Sequence, residues 1–307
     1  MTNAFIITPG GQRFTKEDSQ PLEANNVYAN SDLQLIDVFL RSRVSDKTRV
    51  TYEKCIADFI NFLDGKPLNS VTMNDALSFA QALASSALQV STQRLKINTI
   101  KSMFSFGQKV GYLHYNVFAA VTPPKAKTDL AARILTEAEV MTMIYKTDKQ
   151  RDQVMIRLLY ASAGRISEIS ALTWADVQPN GNSGQVTLFG KGGKTRAVKL
   201  SPATWSALQG LRPSTGSGNE APVFLSQKGG KLDETMIHRI VKAAAVRADI
   251  QGNVSAHWLR HSHASHALDR GANIALVRDT LGHSSLAVTS RYTHAKPNES
   301  SALHLAV

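Results

Sequence analysis

The chain has 307 residues, 43% of them hydrophobic and 19% charged, and 35 lysines and arginines against 24 aspartates and glutamates give it a formal charge of +11. Its single cysteine, Cys55, excludes a scaffold built on intrachain disulfides, and no apolar run reaches the ~20 residues that span a bilayer. Because the N-terminus also lacks a basic, apolar leader, the sequence predicts a soluble, cytoplasmic protein of about two domains.

The positive charge is spread over most of the chain. Residues 1–30 carry a net charge of −1, residues 31–134 carry +5 and residues 135–307 carry +7. A surplus of lysine and arginine favours a polyanionic partner, first of all nucleic acid, although a merely soluble basic protein fits the composition too. The even distribution favours two domains that meet one extended polyanion over a single basic arm.

The first half of the chain is predicted to be helical. Residues 1–30 show little periodicity and are predicted to form a flexible tail. Apolar residues then recur every three or four positions in four segments. The predicted helix starts are Ser31, in a capping box with Gln34, then Asp46, Thr72 with Asp75, and Ser91. These helices predict a compact all-α domain over residues 31–122, followed by a proline-containing linker over residues 123–134.

The second half, residues 135–307, is predicted to be mostly helical with one small sheet. It opens on the capping box Thr136–Glu139. The remaining predicted elements are helices at about 148–161, after Gly164, after Ser201-Pro202, and over 234–248, 257–269 and 274–281, a hairpin of strands 186–189 and 195–200, and a short edge strand at 223–225. The fold class that we expect is therefore mainly α with a small β-sheet (α+β).

Residues able to do chemistry concentrate in the last third of the sequence. His257 and Arg260 are three apart and share one helix face, and His283 and Tyr292 follow. Upstream, Arg165 stands at a helix start and Lys191 in the glycine-rich hairpin turn, and no cluster of aspartates or glutamates accompanies these residues.

Three interpretations fit this set of residues. A zinc site of the protease type is disfavoured, because Trp258 stands where a glutamate should follow the first histidine. Taken singly, each residue is more often a satisfied structural side chain than a catalytic one. Together they also suit phosphoryl transfer without a metal: arginines hold the phosphate, histidines and a lysine move protons, and a tyrosine hydroxyl is the nucleophile.

Taken together, the motifs resemble the tyrosine recombinase (phage integrase, Xer-like) family. The matching segments are Ala163-Gly-Arg165-Ile-Ser-Glu168, Gly190-Lys191-Gly-Gly-Lys194, His257-Trp-Leu-Arg260-His261, Leu281-Gly-His283 and Tyr292-Thr-His294. The resemblance covers about residues 31–307. The family usually has Gly-Leu-Arg where this sequence has Ala163-Gly164-Arg165, so we expect a difference only in the local backbone.

The resemblance implies a role for each matched residue. Arg165 and Arg260 would hold the scissile phosphate, Lys191 would protonate the leaving 5′ oxygen, and Tyr292 would form a 3′-phosphotyrosyl link. His257 would handle the proton of the nucleophile, and His283 would donate a hydrogen bond to the phosphate. The remaining matched or nearby residues are read as supporting ones: Glu168 as orienting the site, Lys194 as a backbone-phosphate contact, His261, His263 and His266 as structural or DNA-facing, and His294 as a packing residue.

The resemblance also implies the partners. The chain would act on double-stranded DNA as a homo-tetramer on two DNA sites, or with a second recombinase subunit, with no metal, no ATP, no other cofactor and no membrane. The short tail favours a simple recombinase without an arm-binding domain, and the apolar end at 300–307 is predicted to dock on a neighbouring protomer or on its own domain. The alternatives are an integrase-like DNA-binding protein without catalysis and topoisomerase-like relaxation, which uses the same chemistry.

Overall fold

The computed structural model describes residues 30–125, 130–190, 193–213, 218–283 and 285–292. The chain divides into two compact units, Met1–Thr128 and Asp129–Val307, so each is described by itself. The border falls within the predicted linker segment 123–134. The predictions for the tail at 1–30, except Asn30, for Lys191 and His294 and for the chain end at 300–307 fall outside the described residues.

The first unit is a bundle of helices around an aromatic core. Its helices are α1 (Asp32–Arg41), α2 (Asp46–Leu63), α3 (Met73–Ala84) and α4 (Val90–Lys109). Phe118, from the chain after α4, inserts between them, and its ring centroid lies 5.3 Å from that of Phe59 and 5.0 Å from that of Phe104. Tilted and edge-to-face contacts of this kind add to the stabilisation from burial, so this core holds the four helices together.

The helix starts of the first unit agree only in part with the prediction. The capping box of Thr72 and Asp75 is present. The Ser31 hydroxyl accepts from the Gln34 backbone, but the Gln34 side chain accepts from Asn30 at 2.6 Å, so the predicted reciprocal box is incomplete. The predicted cap at Asp46 was wrong by one residue, because α2 begins at Asp46 itself.

The second unit combines helices with a small antiparallel sheet. Its helices are α5 (Glu137–Tyr145), α6 (Gln150–Ser162), α7 (Ile166–Ala171), α8 (Pro202–Gln209), α9 (Glu234–Arg247), α10 (Ala256–Asp269), α11 (Ile274–Leu281) and α12 (Leu286–Thr289), and its strands are β1 (Val177–Asn180), β2 (Ser183–Phe189) and β3 (Thr195–Lys199). This architecture confirms the predicted fold class. In the described residues, no helix is both long and apolar enough to cross a membrane.

The sheet has the order β1-β2-β3, with Val186 opposite Val177 on one side and Val198 on the other. Strand β1 was not predicted. The predicted strand at 223–225 was wrong, because the chain there forms only isolated bridges, one of them between Leu225 and Lys231.

Helix α8 packs directly on the sheet. A Cβ built on Gly184 of β2 would lie 2.1 Å from the ring of Trp205 in α8, so only glycine allows this approach. The sheet is thereby fixed against the helical core of the unit, and its far end, where β2 turns into β3, is directed to the residues of the candidate site.

Candidate active site

The site begins at the sharp turn between α6 and α7. Helix α6 ends at Ser162, its C-cap Ala163 has a φ of 49° in the left-handed region, and Arg165 is the N-cap residue of α7. A Cβ on Gly164 would lie 2.8 Å from Ile169, so the glycine is needed for space. In the segment Ala163-Gly164-Arg165, the residue with positive φ is therefore the alanine, and the glycine is needed for close packing against Ile169.

Glu168 fixes the side chain of Arg165. The backbone N–H and Nη1 of Arg165 each donate to the Glu168 carboxylate at 2.8 Å. Two nitrogens of Arg196 donate to the same carboxylate, at 2.9 and 2.7 Å, in a bidentate pair. Burial alone would raise the pKa of Glu168, but these hydrogen bonds from Arg196 and Arg165 outweigh it and lower the pKa to about 2.

Arg196 is the residue that sequence reasoning missed. It lies on β3, its side chain is only 10% exposed, and its Nε donates to the carbonyl of Thr280 at 2.6 Å. The signal was available: Arg196 and Val198 are two apart on one strand, so they share the buried face of the sheet. A charged residue at such a position needs a buried partner, which here is Glu168.

The hairpin turn approaches this cluster at Gly190. A Cβ on Gly190 would lie 3.2 Å from the Glu168 carboxylate and 3.5 Å from Arg165 Nη1. The Gly190 N–H donates to the carbonyl of Lys194 at 2.7 Å and closes the turn. The first residue of the turn is thus beside Arg165, whereas Lys191, the next residue, lies outside the described residues.

Arg260 links two segments that are distant in sequence. Its guanidinium group is buried and donates to the carbonyls of Ala163 and Leu281, at the ends of α6 and α11. Burial and the positive charges of Arg165 and Arg196 lower the pKa of Arg260 to about 10. In the described part of the chain no carboxylate forms an ion pair with it, so its charge is not neutralised.

Tyr292 lies against the same two helix ends. It is 6% exposed and packs with Ala163, Val277 and Leu281. Its ring is nearly parallel to that of His283, at 11° and 6.4 Å between centroids. Burial raises the pKa of the Tyr292 hydroxyl, although the charges of Arg260 and Arg291 oppose this.

The histidines form two groups, one near Tyr292 and one near Tyr160. Nδ1 of His261 lies 2.7 Å from the Tyr292 hydroxyl, and Nδ1 of His283 lies 3.0 Å from the Thr289 hydroxyl. The ring of His257 stacks near that of His261, with 6.4 Å between centroids. His263 and His266, by contrast, both contact Tyr160: His263 its carbonyl and His266 its hydroxyl.

The electrostatic setting keeps the histidines near Tyr292 neutral. Burial comes first among the causes, followed by neighbouring positive charges: the pKa of His257 is lowered, and those of His261 and His283 are lowered to about 4. Each is therefore an uncharged imidazole near pH 7, able to donate from one nitrogen and accept at the other.

The structure thus brings Arg260, His283 and Tyr292 together through shared contacts, with His257 one helical turn before Arg260. Arg165 is near enough for its charge to act on Arg260 and His283. The structure adds Arg196 to this group as the partner of Glu168. It also places His261, read from the sequence as structural or DNA-facing, in direct contact with the Tyr292 hydroxyl. Such an arrangement can hold an anion beside a tyrosine oxygen.

Known proteins are similar to this chain in sequence and in fold. A family model described as the phage integrase family matches residues 131–299, and one described as a phage integrase N-terminal SAM-like domain matches residues 33–109. A tyrosine recombinase XerC of Pelobacter propionicus is 30% identical over 260 residues, which cover 82% of this chain and 85% of the relative.

Two solved structures share the fold. A lambda integrase dimer bound to a COC′ core site superposes with a TM-score of 0.72 at 17% identity, covering 87% of this chain and 97% of that one. A lambda integrase tetramer bound to a Holliday junction superposes with a TM-score of 0.68 at 15% identity, covering 92% and 93%. The family models and the XerC relative confirm the family that the sequence motifs predicted. This chain belongs to the phage integrase family.

Proposed function

We propose that this chain is a site-specific DNA recombinase that cuts and rejoins DNA strands through a covalent 3′-phosphotyrosyl intermediate, without a metal ion or ATP. The observation that carries the proposal is the position of Tyr292. Its hydroxyl contacts a neutral imidazole, and the residues packed on it are those whose carbonyls hold the buried Arg260. A nucleophile and a fixed cation are therefore side by side, as attack on a phosphodiester requires.

The phosphate is held by side chains from three separate motifs. Arg165 and Arg260 bind its non-bridging oxygens, and the Glu168 carboxylate orients Arg165 for this contact. His257 lies on the same face of α10 as Arg260, and His283 lies against the Tyr292 ring. In the proposed mechanism both donate a hydrogen bond to the phosphate. These fixed donors stabilise the charge that develops in the transition state.

The reaction conserves the bond energy of the phosphodiester. The Tyr292 oxygen bonds to phosphorus while the bond from phosphorus to the 5′ oxygen breaks. The proton of the Tyr292 hydroxyl passes to a neighbouring neutral imidazole, and Lys191 supplies the proton of the resulting 5′ hydroxyl. A 5′ hydroxyl from another strand then attacks the phosphotyrosine and releases the tyrosine. Because one ester replaces another at each step, no ATP is consumed.

The partner is double-stranded DNA. We assign residues 31–122 to DNA binding and residues 135–307 to catalysis, joined by the linker 123–134 and preceded by a tail at 1–30. The +11 charge of the whole chain supports contact of both domains with the phosphate backbone. The lambda integrase tetramer on a Holliday junction supports a homo-tetramer on two DNA sites as the active assembly.

The proposal is tested by trapping the intermediate. Fragments of the host genome that the protein retains are sequenced to define its site, and a duplex of that site is nicked close to the point of cleavage so that rejoining fails. We expect a covalent protein–DNA band after denaturation with wild-type protein, also in EDTA, and none with Tyr292→Phe, which should still bind the duplex.

The same experiment distinguishes the recombinase from a DNA-binding protein without catalysis. If the wild-type protein binds its site tightly but forms no covalent band on nicked substrates, the chain is an integrase-like DNA-binding protein without catalysis. A band that persists in Tyr292→Phe would assign the nucleophile to another residue. Formation of the band only with added divalent ions would contradict the metal-free mechanism.

A further inference from the structure

The hydroxyl of Tyr292 has a specific hydrogen-bond partner. Helix α10 carries His257 and His261 four residues apart on one face, and it is Nδ1 of His261 that lies 2.7 Å from the Tyr292 oxygen. The rings of His261 and Tyr292 are 5.7 Å apart between centroids. The third histidine, His283, stacks on the phenol ring, and its Nδ1 is bonded to the hydroxyl of Thr289. Among the described residues, the nitrogen in reach of the nucleophile is thus that of His261.

The surroundings of His261 keep its ring unprotonated, so Nδ1 is open to accept a hydrogen bond from the Tyr292 hydroxyl. The charged and titratable groups that face it are His257 and Arg260 from its own helix, Arg133 from the short helical turn 131–133, and Arg291 from the turn that ends at Tyr292. None of these is a carboxylate that would hold a proton on the ring. Burial and the positive groups together lower the pKa of His261 to about 4.

We propose that His261 is the catalytic proton acceptor for Tyr292, a role that the family resemblance assigns to His257. As the Tyr292 oxygen bonds to phosphorus, its proton passes to Nδ1 of His261 and the 5′ oxygen leaves. On rejoining, Nδ1 returns the proton to the tyrosine oxygen as the phosphotyrosine bond breaks. His257, one turn closer to the start of α10, keeps only a contact to the phosphate. The inference rests on the proposed recombinase function.

The test measures how removal of the proton from Tyr292 affects the cleavage rate, separately from protonation of the leaving group. A duplex site with sulfur in place of the leaving 5′ oxygen needs no protonation of the leaving group, so its cleavage rate reports on the nucleophile alone. Single-turnover cleavage of this duplex is measured from pH 6 to pH 9 for wild type, His261→Ala, His261→Asn and His257→Ala. His263→Asn, on the same helix but bonded to the Tyr160 carbonyl, is the matched control.

We expect the wild-type rate to be nearly level with pH and the His263→Asn rate to match it. His261→Ala should be slower by about 10²–10⁴-fold at pH 7, the range for general base catalysis. Its rate should rise about tenfold per pH unit, because the phenolate must then form by loss of the proton to solvent. His257→Ala should be slower at every pH without acquiring this slope.

His261→Asn separates proton transfer from positioning. The asparagine amide places a polar atom near the former Nδ1 and holds the hydroxyl, yet it takes up no proton near neutral pH. We expect it to be as slow and as pH-dependent as His261→Ala. A wild-type rate in His261→Asn would overturn the inference, and so would a pH slope that appears in His257→Ala instead. Absence of any covalent product with wild type would overturn the proposed function itself, which makes the two failures distinguishable.

Discussion

Replacing Glu168 by glutamine should destabilise the second unit strongly and change how its stability depends on pH. The Glu168 side chain is only 1% exposed and accepts hydrogen bonds from Arg196, at 2.9 and 2.7 Å, and from Arg165, at 2.8 Å. Glutamine keeps the shape but removes the negative charge, and it turns one acceptor into a donor that faces the guanidinium groups. Arg196, only 10% exposed, is then left as a buried charge without a carboxylate.

Two independent estimates of the loss of folding free energy in Glu168→Gln agree. Breaking a buried ion pair by removing one partner costs about 3–5 kcal/mol. Independently, the pKa of Glu168 falls from an ordinary 4.5 to about 2, which corresponds to about 3 kcal/mol of folding stability. Because the folded-state pKa is the lower one, this stabilisation is complete above about pH 5 and disappears as the pH falls toward 2. The difference between wild type and Glu168→Gln should therefore be about 3 kcal/mol at pH 7 and shrink steadily below pH 5.

Tryptophan fluorescence reports on unfolding of the second unit, because all three tryptophans, Trp174, Trp205 and Trp258, lie there. Urea unfolding is followed at pH 7, 5 and 3 for wild type, for Glu168→Gln and for Glu137→Gln, whose exposed pair with Arg270 serves as the control. The control should unfold like wild type. A loss below about 1 kcal/mol in Glu168→Gln, or one equally large at pH 3 and pH 7, would refute the reasoning, because a buried charge pair gives neither.

Three further predictions concern the scaffold of the two units. Gly282→Ala should lower the free energy of unfolding of the second unit by about 1 kcal/mol in the fluorescence assay, because φ is 62° there and the new Cβ would lie 3.4 Å from Arg196 Nη1; an unchanged midpoint would contradict it. Thr136→Ala should cost about 1 kcal/mol in the same assay by removing the capping box with Glu139, whereas Thr136→Ser should restore most of it. Phe118→Ala should cost about 3–5 kcal/mol in the first unit, seen by circular dichroism, and should leave the tryptophan transition in place; a shifted tryptophan transition would show that the units unfold together.

Local signals in the sequence were sufficient at some helix starts and insufficient at others, including Ser31, where the predicted box is incomplete, and Ser91, where the helix begins at Val90. The helix start at Thr72, the capping box at Thr136 and the serine–proline start at Ser201 are present as predicted. At Asp46 two good capping residues are adjacent. Ser45 occupies the cap position without a capping hydrogen bond from its side chain, while Asp46 pairs with Arg49 one turn on. A pattern of residue types does not decide between such neighbours, since the choice depends on how the whole helix packs.

Strand β1 was not predicted, for a different reason. It has four residues, contains Pro179, and buries only Val177, so neither alternation nor β-propensity marks it. Its pairing with β2 places it at the edge of the sheet, where a proline is tolerated. The segment 223–225 has the stronger β composition, yet its backbone hydrogen bonds go to loops.

The candidate site was predictable as a set of residues but not as a set of contacts. Motifs identify Arg165, Arg260 and Tyr292 because their spacing recurs in a family. The hydrogen bond from Arg196 to Thr280 joins residues 84 apart, and the one between His261 and Tyr292 joins residues 31 apart. Such pairs depend on how β3, α10 and α11 pack together, and no periodicity within a single segment reports them.

The arginines of the site divide by how their charge is balanced. Arg196 and Arg165 share the Glu168 carboxylate, whereas Arg260 is held by backbone carbonyls alone. Among the described contacts the cluster therefore has three guanidinium groups but one carboxylate, Glu168, which pairs with Arg165 and Arg196 only. This leaves an excess of two positive charges in a largely buried place. Folding alone gives no reason to bury a cation without a counterion, since its desolvation is unfavourable. Under the proposed function, the phosphodiester of the DNA would supply the missing negative charge where Arg260 and Tyr292 meet. Arg196 would then serve the architecture, as the partner of Glu168, and Arg260 would serve the ligand, although both are buried arginines in one cluster.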